Sequence, residues 1–358
     1  MRIVFATSEA NPYIKSGGLA DVLGSLPKAL VQKGHECIVV LPKYQDMKLA
    51  DTLEYVTNYD IWVGWRKCYC GVFKAEYDGV TYYFIDNEQY FRRPGLYGYD
   101  DDNERFAYFD FAVLELLSHI DIKPDILHLH DWQTAMIATL YKERYAYYEY
   151  YQGIKIVFTI HNIAYQGKCD PALLSDHFGL DNYLYYNGNC RNDGCFNMMK
   201  AAIYYSDIIT TVSPTYAQEI LTDSFGEGLQ NILQMRRHDL YGILNGIDYE
   251  TINPATDPEI VEHFDITNVD EKKVINKLAL QKECGLPENK DVPLIGIVTR
   301  LTWQKGLDLI INRMEELMKR DVQVVILGAG DQKYEEPLKG IAAYHNQKLS
   351  LNLKYDFG

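Results

Sequence analysis

Residues 3–41 read IVFATSEANPYIKSGGLADVLGSLPKALVQKGHECIVVL, and the fold follows from how this stretch is parsed. Ile3–Thr7 is a short apolar run, the pattern of a strand buried on both faces. From about Leu19 to Lys33 the apolar residues Leu19, Val22, Leu23, Leu26 and Leu30 recur at helical spacing. Gly34 stands just past the last of them, the usual place for the residue that ends a helix. Glu36–Leu41 is apolar again. Strand, loop, helix, strand is the crossover unit of a parallel sheet.

The alternation continues. Thr81–Asp86, Asp125–Leu129, Lys155–Ile160 and Asp207–Val212 read as strands, and Phe106–Ile120 and Trp132–Tyr145 as helices. Ser213-Pro214 opens a further helix, with Ser as cap and Pro in the first turn. A second cycle begins near Gly242. Ile243–Asn245 is strand-like and ends in Asn245-Gly246-Ile247-Asp248; a polar stretch runs through Lys290. Leu294–Thr299 is then a strand, Leu307–Met318 a helix, and Val322–Leu327 a strand closed by Gly328-Ala329-Gly330-Asp331. Leu349–Phe357 reads as one more strand. The expectation is an α/β protein of two domains, 1–241 and 242–358, with parallel sheets covered by helices on both faces. The second domain shows fewer strands than a doubly wound half normally carries, so it is expected to be incomplete. Such sheets take ligands at the carboxyl ends of their strands.

The chain has 358 residues and a formal net charge of -15. That balance argues against nucleic acid or an anionic membrane as partner, while a few local cations can still hold a small anion. The 30 Tyr and 4 Trp offer ring faces of the kind that stack on sugars, although packing accounts for most of them. Seven Cys, an odd number, fit reduced cytoplasmic thiols better than a disulfide framework. Cys68-x-Cys70 and Cys190-x4-Cys195 lack the second pair of a zinc site. With no signal-peptide pattern and no apolar run of spanning length, the expected location is the cytoplasm.

Four segments sit where chemistry is expected. Lys15-Ser16-Gly17-Gly18-Leu19-Ala20-Asp21 opens the first helix; paired glycines and free helix amides suit a phosphate, with Lys15 adding a full charge. An ordinary glycine turn is the plain alternative. His128-Leu129-His130-Asp131-Trp132 ends a strand and puts both histidines on one side, as a polar lining. Thr159-Ile160-His161-Asn162-Ile163-Ala164-Tyr165-Gln166-Gly167 does the same for His161, whose plain reading is a packed histidine. In Thr299-Arg300-Leu301-Thr302-Trp303-Gln304-Lys305-Gly306, two cations beside a helix start suit a diphosphate; the alternative is solvated surface charge. Asp100-Asp101-Asp102 reads as a hydrated loop rather than a metal site.

Taken together, these segments resemble the bacterial glycogen synthase and plant starch synthase family. Ser8-Glu9, Tyr97-Gly98, Thr211-Val212-Ser213-Pro214-Thr215-Tyr216 and Asn245-Gly246-Ile247-Asp248 extend the likeness along the chain. The resemblance implies two Rossmann-like domains facing a cleft, the GT-B architecture. It implies retaining transfer of glucose from ADP-glucose to the non-reducing end of an α-1,4-glucan, glycogen or a malto-oligosaccharide, with neither cofactor nor metal. It implies His161, Arg300 and Lys305 as catalytic residues, the latter two on the leaving diphosphate. Lys15, Gly17, Gly18, Asp21 and Asn245 would bind the donor, and Glu9, Tyr97 and Asp131 the sugar and acceptor.

Two departures stand out. Gln133-Thr134-Ala135 follows Trp132 where the family commonly has His-Ala/Thr-Gly/Ala. The family's later motif, two glutamates with a Cys-Gly turn, is absent, so the chain reads as C-terminally truncated and is expected to have little or no transferase activity. Three other readings are a non-catalytic glucan-binding scaffold, a related enzyme using UDP-sugars, and a dinucleotide-dependent oxidoreductase. The last lacks a glycine fingerprint after the first strand.

Overall fold

A computed structural model describes residues 1–354. They separate into two compact units, Met1–Ile247 and the residues from Asp248 onward.

The first unit is built on seven strands of one chain stretch, β1 Arg2–Ala6, β2 Glu36–Pro42, β3 Glu54–Val63, β4 Arg66–Tyr77, β5 Val80–Asp86, β6 Ile126–His130 and β7 Lys155–Ile160. A small antiparallel sheet follows, of β8 Lys168–Cys169, β9 Arg191–Asn192 and β10 Cys195–Asn197. Then β11 Ile208–Thr211 and β12 Leu240–Gly242 complete the large sheet, in the order β12-β11-β7-β6-β1-β2-β5-β4-β3. The middle of this sheet is apolar on both faces: Val4, Phe5, Leu127, Leu129, Ile156 and Phe158 are all fully buried. Burial of that kind is what makes the runs unbroken rather than alternating.

The sheet is mixed rather than purely parallel. From β12 to β5 neighbours run parallel, but β3, β4 and β5 are antiparallel. The long β3–β4 hairpin is absent from the sequence reading because its outer face is exposed and mixes aromatic residues such as Trp62 and Tyr69 with Asn58, Asp60 and Lys67, so no unbroken apolar run marks it. Its turns do carry a signal. Gly64-Trp65 and Asp78-Gly79 are two-residue links, and Gly64, Asp78 and Gly79 have φ of 59°, 51° and 76°, as tight hairpins require. Trp65 Nε1 donates to Asp176 Oδ1 at 2.7 Å and Arg66 Nη2 to Asp176 Oδ2 at 2.7 Å, tying the hairpin down.

Three further expectations change. The helix expected at 106–120 runs Asp102–His119, so Asp102 is its first residue and not part of a hydrated loop. Asp102 pairs with the fully buried Arg105 and accepts from Gly98 N at 2.8 Å, while Arg93 pairs with Asp101 at 2.7 Å. The segment 132–145 is a short 3-10 turn, Trp132–Thr134, followed by the helix Ala135–Glu143. Ile243–Asn245 is not a strand. The ladder ends at Gly242 opposite Thr211, the last residue of β11; Ile243 N still donates to Thr211 O at 2.8 Å, but no strand residue lies beyond it, and Ile243 and Leu244 are exposed.

The second unit holds the parallel sheet β13 Leu294–Val298, β14 Gln323–Leu327 and β15 Leu349–Asn352. The helix Leu307–Met318 buries Leu307, Met314 and Met318. The expected strand 349–357 ends at Asn352, and its portion from 355 lies outside the described residues. Two helices, Val269–Glu283 and Gln332–Tyr344, lie where the sequence reading names none. The first spreads Val269, Val274, Ile275, Leu278 and Leu280 around its circumference among charged residues, with only Gln281 buried, which weakens the periodic signal.

A Cβ at Gly64 would sit 2.1 Å from Asp176 O, at a positive φ. Gly64→Ala is expected to lower stability by about 2 kcal/mol or more, seen as a lower urea midpoint in near-UV circular dichroism.

Candidate functional site

The carboxyl ends of β1, β6 and β7, three adjacent strands, bring most of the candidate residues of the first unit to one edge of the sheet. After β1, Glu9 is 4% exposed. Its Oε2 accepts from the Ser16 amide, which anchors the loop running to Gly17. Burial pushes the Glu9 carboxyl above its ordinary range, against the lowering effect of that amide. Ser8 Oγ and the Tyr97 hydroxyl are 2.7 Å apart, so Tyr97 joins the same edge. Burial raises the Tyr97 hydroxyl well above its usual value.

The glycine loop leads into the helix Gly18–Gln32. Gly17 is extended, and no side chain caps this helix. A Cβ at Gly17 or Gly18 would meet nothing within 4 Å. The glycines are therefore not demanded by packing; the space around them is open. Lys15 Nζ lies 2.8 Å from Asp21 Oδ1, and Asn11 Nδ2 donates to the same oxygen at 2.6 Å. Asp21 thus orients the Lys15 ammonium beside the uncapped helix start.

Between β6 and β7, Asp131 takes φ 57° and ψ -176°, a region populated almost only by glycine, at a strain of roughly 1–3 kcal/mol. Hydrogen bonds hold it there. Asp131 N donates to Thr159 O at 3.0 Å. Asp131 Oδ1 accepts from His161 N at 2.8 Å and from Asn162 N at 3.4 Å. Burial raises the Asp131 carboxyl, and these amides and His161 act the other way.

His161 is joined to a stack of imidazoles. His130 Nδ1 lies 3.0 Å from His161 Nε2, and the rings of His128 and His130 are 4.2 Å apart. His128 Nε2 meets Thr159 Oγ1 at 2.7 Å, which in turn meets Thr210 Oγ1 at 2.6 Å. Burial lowers all three histidines, His128 to about 3, with neighbouring imidazoles adding for His128 and His130. The imidazoles are neutral near pH 7. Sequence spacing showed that His128 and His130 share a side; the link from His130 to His161 spans 31 residues and has no local signal. Asn11, which holds Asp21, escaped the sequence reading of the site, and Ser8, quoted there only within the Ser8-Glu9 motif, proves to hold Tyr97.

Arg300 and Lys305 belong to the second unit, and Asn245 lies near the end of the first, in the segment after β12. Arg300 follows β13, and Lys305 ends the turn Trp303–Lys305 before the helix Leu307–Met318. Both side chains are exposed, and neither is paired among the described residues. Their loop is clamped by the Gly328-Ala329-Gly330 turn: Leu301 N donates to Ala329 O at 3.0 Å and Asp331 N to Leu301 O at 2.9 Å. A Cβ at Gly330 would stand 2.3 Å from Leu301 O, so the glycine allows this close approach. Asn245 is exposed in irregular backbone.

The starch synthase catalytic domain profile matches residues 2–235. The glycogen synthase of Clostridium perfringens (strain 13 / Type A) is 51% identical over 360 residues, covering 100% of this chain and 74% of its own length. The catalytic domain of starch synthase IV from Arabidopsis thaliana, solved bound to ADP and acarbose, superposes with a TM-score of 0.92 at 37% identity, over 99% of this chain and 74% of that one. A UDP-forming trehalose-phosphate synthase from Burkholderia xenovorans shares the fold alone, with a TM-score of 0.54 at 12% identity over 99% of this chain and 75% of that one.

Asp131→Ala is expected to lower stability by about 2 kcal/mol, because strain stays and two amides lose their acceptor. Asp131→Gly should be milder, since glycine adopts the backbone freely; urea denaturation ranks the two. For pH, a histidine depressed in the folded state contributes stability above its unfolded pKa near 6.5 that is lost as pH falls through the folded value. Each imidazole then contributes a slope of up to about 1.4 kcal/mol per pH unit. The raised Glu9 and Asp131 carboxyls act oppositely, favouring the native state as pH falls. His128→Phe should therefore gain stability relative to the unaltered chain as pH drops from 6.5 to 4, measured by urea midpoints at each pH.

Proposed function

The chain belongs to the starch synthase catalytic-domain family that contains the glycogen synthases, and from that membership we propose that it transfers glucose from ADP-glucose to the non-reducing end of an α-1,4-glucan. The fold is of the GT-B α/β type, and the family is one of hexosyltransferases. The observation that carries the specific reading is the match to a starch synthase solved with ADP and acarbose, over 99% of this chain at 37% identity. ADP marks the donor's nucleotide and acarbose, a sugar chain, the acceptor's chemistry.

The site's residues take roles consistent with that chemistry. The open backbone at Gly17 and Gly18, with the uncapped helix start and the Lys15 ammonium held by Asp21, receives the donor phosphates. Arg300 and Lys305, with no carboxylate engaging them among the described residues, stabilise charge that develops on the leaving diphosphate, without a metal ion. Asn245 contributes to donor binding. His161 stands beside the transferred glucose, and Glu9, Tyr97 and Asp131 line the sugar and acceptor region. The acceptor hydroxyl attacks the face from which the diphosphate leaves, so the anomeric configuration is retained and no covalent nucleophile is assigned.

The reading also places the protein in the cytoplasm, acting on small and polymeric sugars and not on nucleic acid or membrane. Seven free thiols support a reducing compartment. No helix among the described residues is long and apolar enough to cross a membrane.

Calorimetric titration of the chain with ADP-glucose, UDP-glucose and a malto-oligosaccharide tests the reading. ADP-glucose and the malto-oligosaccharide are expected to bind, with UDP-glucose at least about tenfold weaker. Preference for UDP-glucose would overturn the donor assignment, and failure of the oligosaccharide to bind would overturn the acceptor. Gly17→Ala is expected to leave the urea midpoint unchanged while weakening ADP-glucose, because the added methyl enters open space.

A further inference from the structure

The imidazole pair His130–His161 has two possible proton arrangements, and the surroundings favour one. His130 is fully buried. Its Nδ1 faces His161 Nε2 at 3.0 Å, while its own Nε2 is sealed from solvent and has no hydrogen-bond partner. The Nδ1 atom of His161, by contrast, is not among the sealed, unpartnered atoms, and nothing among the described residues bonds it.

In one arrangement His161 Nε2–H donates to His130 Nδ1. His130 must then carry its proton on Nε2, which leaves a buried N–H with no acceptor. In the other, His130 Nδ1–H donates to His161 Nε2, and the buried Nε2 of His130 holds only a lone pair. An orphaned buried N–H is among the rarest features of folded proteins and forfeits the full desolvation of the donor. A neutral imidazole has one N–H, and the bond made by one ring nitrogen sets what the other presents. The remaining groups packed here do not reverse the choice: His128 is bonded to Thr159, and Phe5 offers only its ring, with centroids 6.1 Å from His130.

We infer that His130 is a positioning residue that fixes the tautomer of His161, so that His161 presents Nδ1–H as a hydrogen-bond donor to a hydroxyl oxygen of the bound sugar. Backbone and ring are then set by neighbours in the same turn of chain. Asp131 accepts the His161 amide, and His130, one residue earlier, donates a hydrogen bond to its Nε2. A donor on His161 suits a sugar hydroxyl oxygen, whose lone pairs accept, and a bare Nδ1 would instead demand that the hydroxyl donate. The inference rests on the placement of His161 beside the transferred glucose.

The test is the long-range proton–nitrogen spectrum of the chain labelled with nitrogen-15 in histidine, at pH 7, with His161 assigned from its loss in His161→Gln. The expected pattern is that of a neutral imidazole protonated on Nδ1. His130→Phe removes the donor and should move His161 to the Nε2–H form that free imidazole prefers in water. His130→Asn, whose carboxamide N–H can replace the lost donor, should keep the Nδ1–H pattern. An Nε2–H pattern for His161 in the unaltered chain, or an Nδ1–H pattern that persists in His130→Phe, would overturn the inference. Should His130→Phe fail to fold, the unaltered chain and His130→Asn decide it. No substrate enters these spectra. The expected tautomer together with failure to bind ADP-glucose would therefore sink the proposed function and leave the proton arrangement standing.

Discussion

The corner at Asp131 is the constraint on which the first unit's site depends. Two adjacent parallel strands, β6 and β7, end side by side, and the chain leaving β6 must turn at once while its neighbour continues to His161. Asp131 makes that turn in a backbone conformation that disfavours every residue with a Cβ. Its carboxylate offsets the strain by accepting the amides of His161 and Asn162. A glycine would relax the backbone but could not hold those amides. The strained residue and the catalytic candidate are thereby one unit: what fixes Asp131 also fixes where His161 stands.

Around that corner the polar groups are arranged to remain uncharged or internally matched. Three histidines in contact cannot all be protonated in a buried place, and burial holds them neutral. Glu9 and Asp131 are pushed toward protonation by the same burial. A fixed positive charge near this edge is Lys15, which Asp21 holds in place. In a chain of net charge -15, an anionic ligand is favoured only by such local arrangement, because the long-range field opposes it.

The second unit solves a related problem differently. Arg300 and Lys305 bracket a turn whose shape is imposed from the side by the glycines at 328 and 330, whose lack of a Cβ lets two backbones touch. The cations themselves are exposed. Rigidity in the backbone and freedom in the side chains suits the proposed role of these groups on a ligand's charge, since a fixed loop lowers the ordering cost while long side chains adapt.

The sequence by itself determined the parallel strands β1, β2, β5, β6, β7 and β11 of the central sheet, the two-unit organisation and the family. Those properties rest on short-range signals: unbroken apolar runs, helical spacing, and ordered motifs at strand ends. It also placed the glycine loop, His161 and the Arg300–Lys305 turn on their proper elements. The β3–β4 hairpin and the Val269–Glu283 helix were not legible, because one exposes a face that mixes aromatic with polar residues and the other spreads its apolar residues around the helix, so periodicity had little to report. Ile243–Asn245 misled for the opposite reason: an apolar fragment invites a strand reading, but only the length of β11 decides whether a partner exists. Tertiary structure alone decided that Trp65 and Arg66 meet Asp176 and that His130 meets His161 across 31 residues. Hydrogen-bond partners distant in sequence are chosen by where strands come to lie, and side-chain identity carries no record of that choice until the sheet has formed.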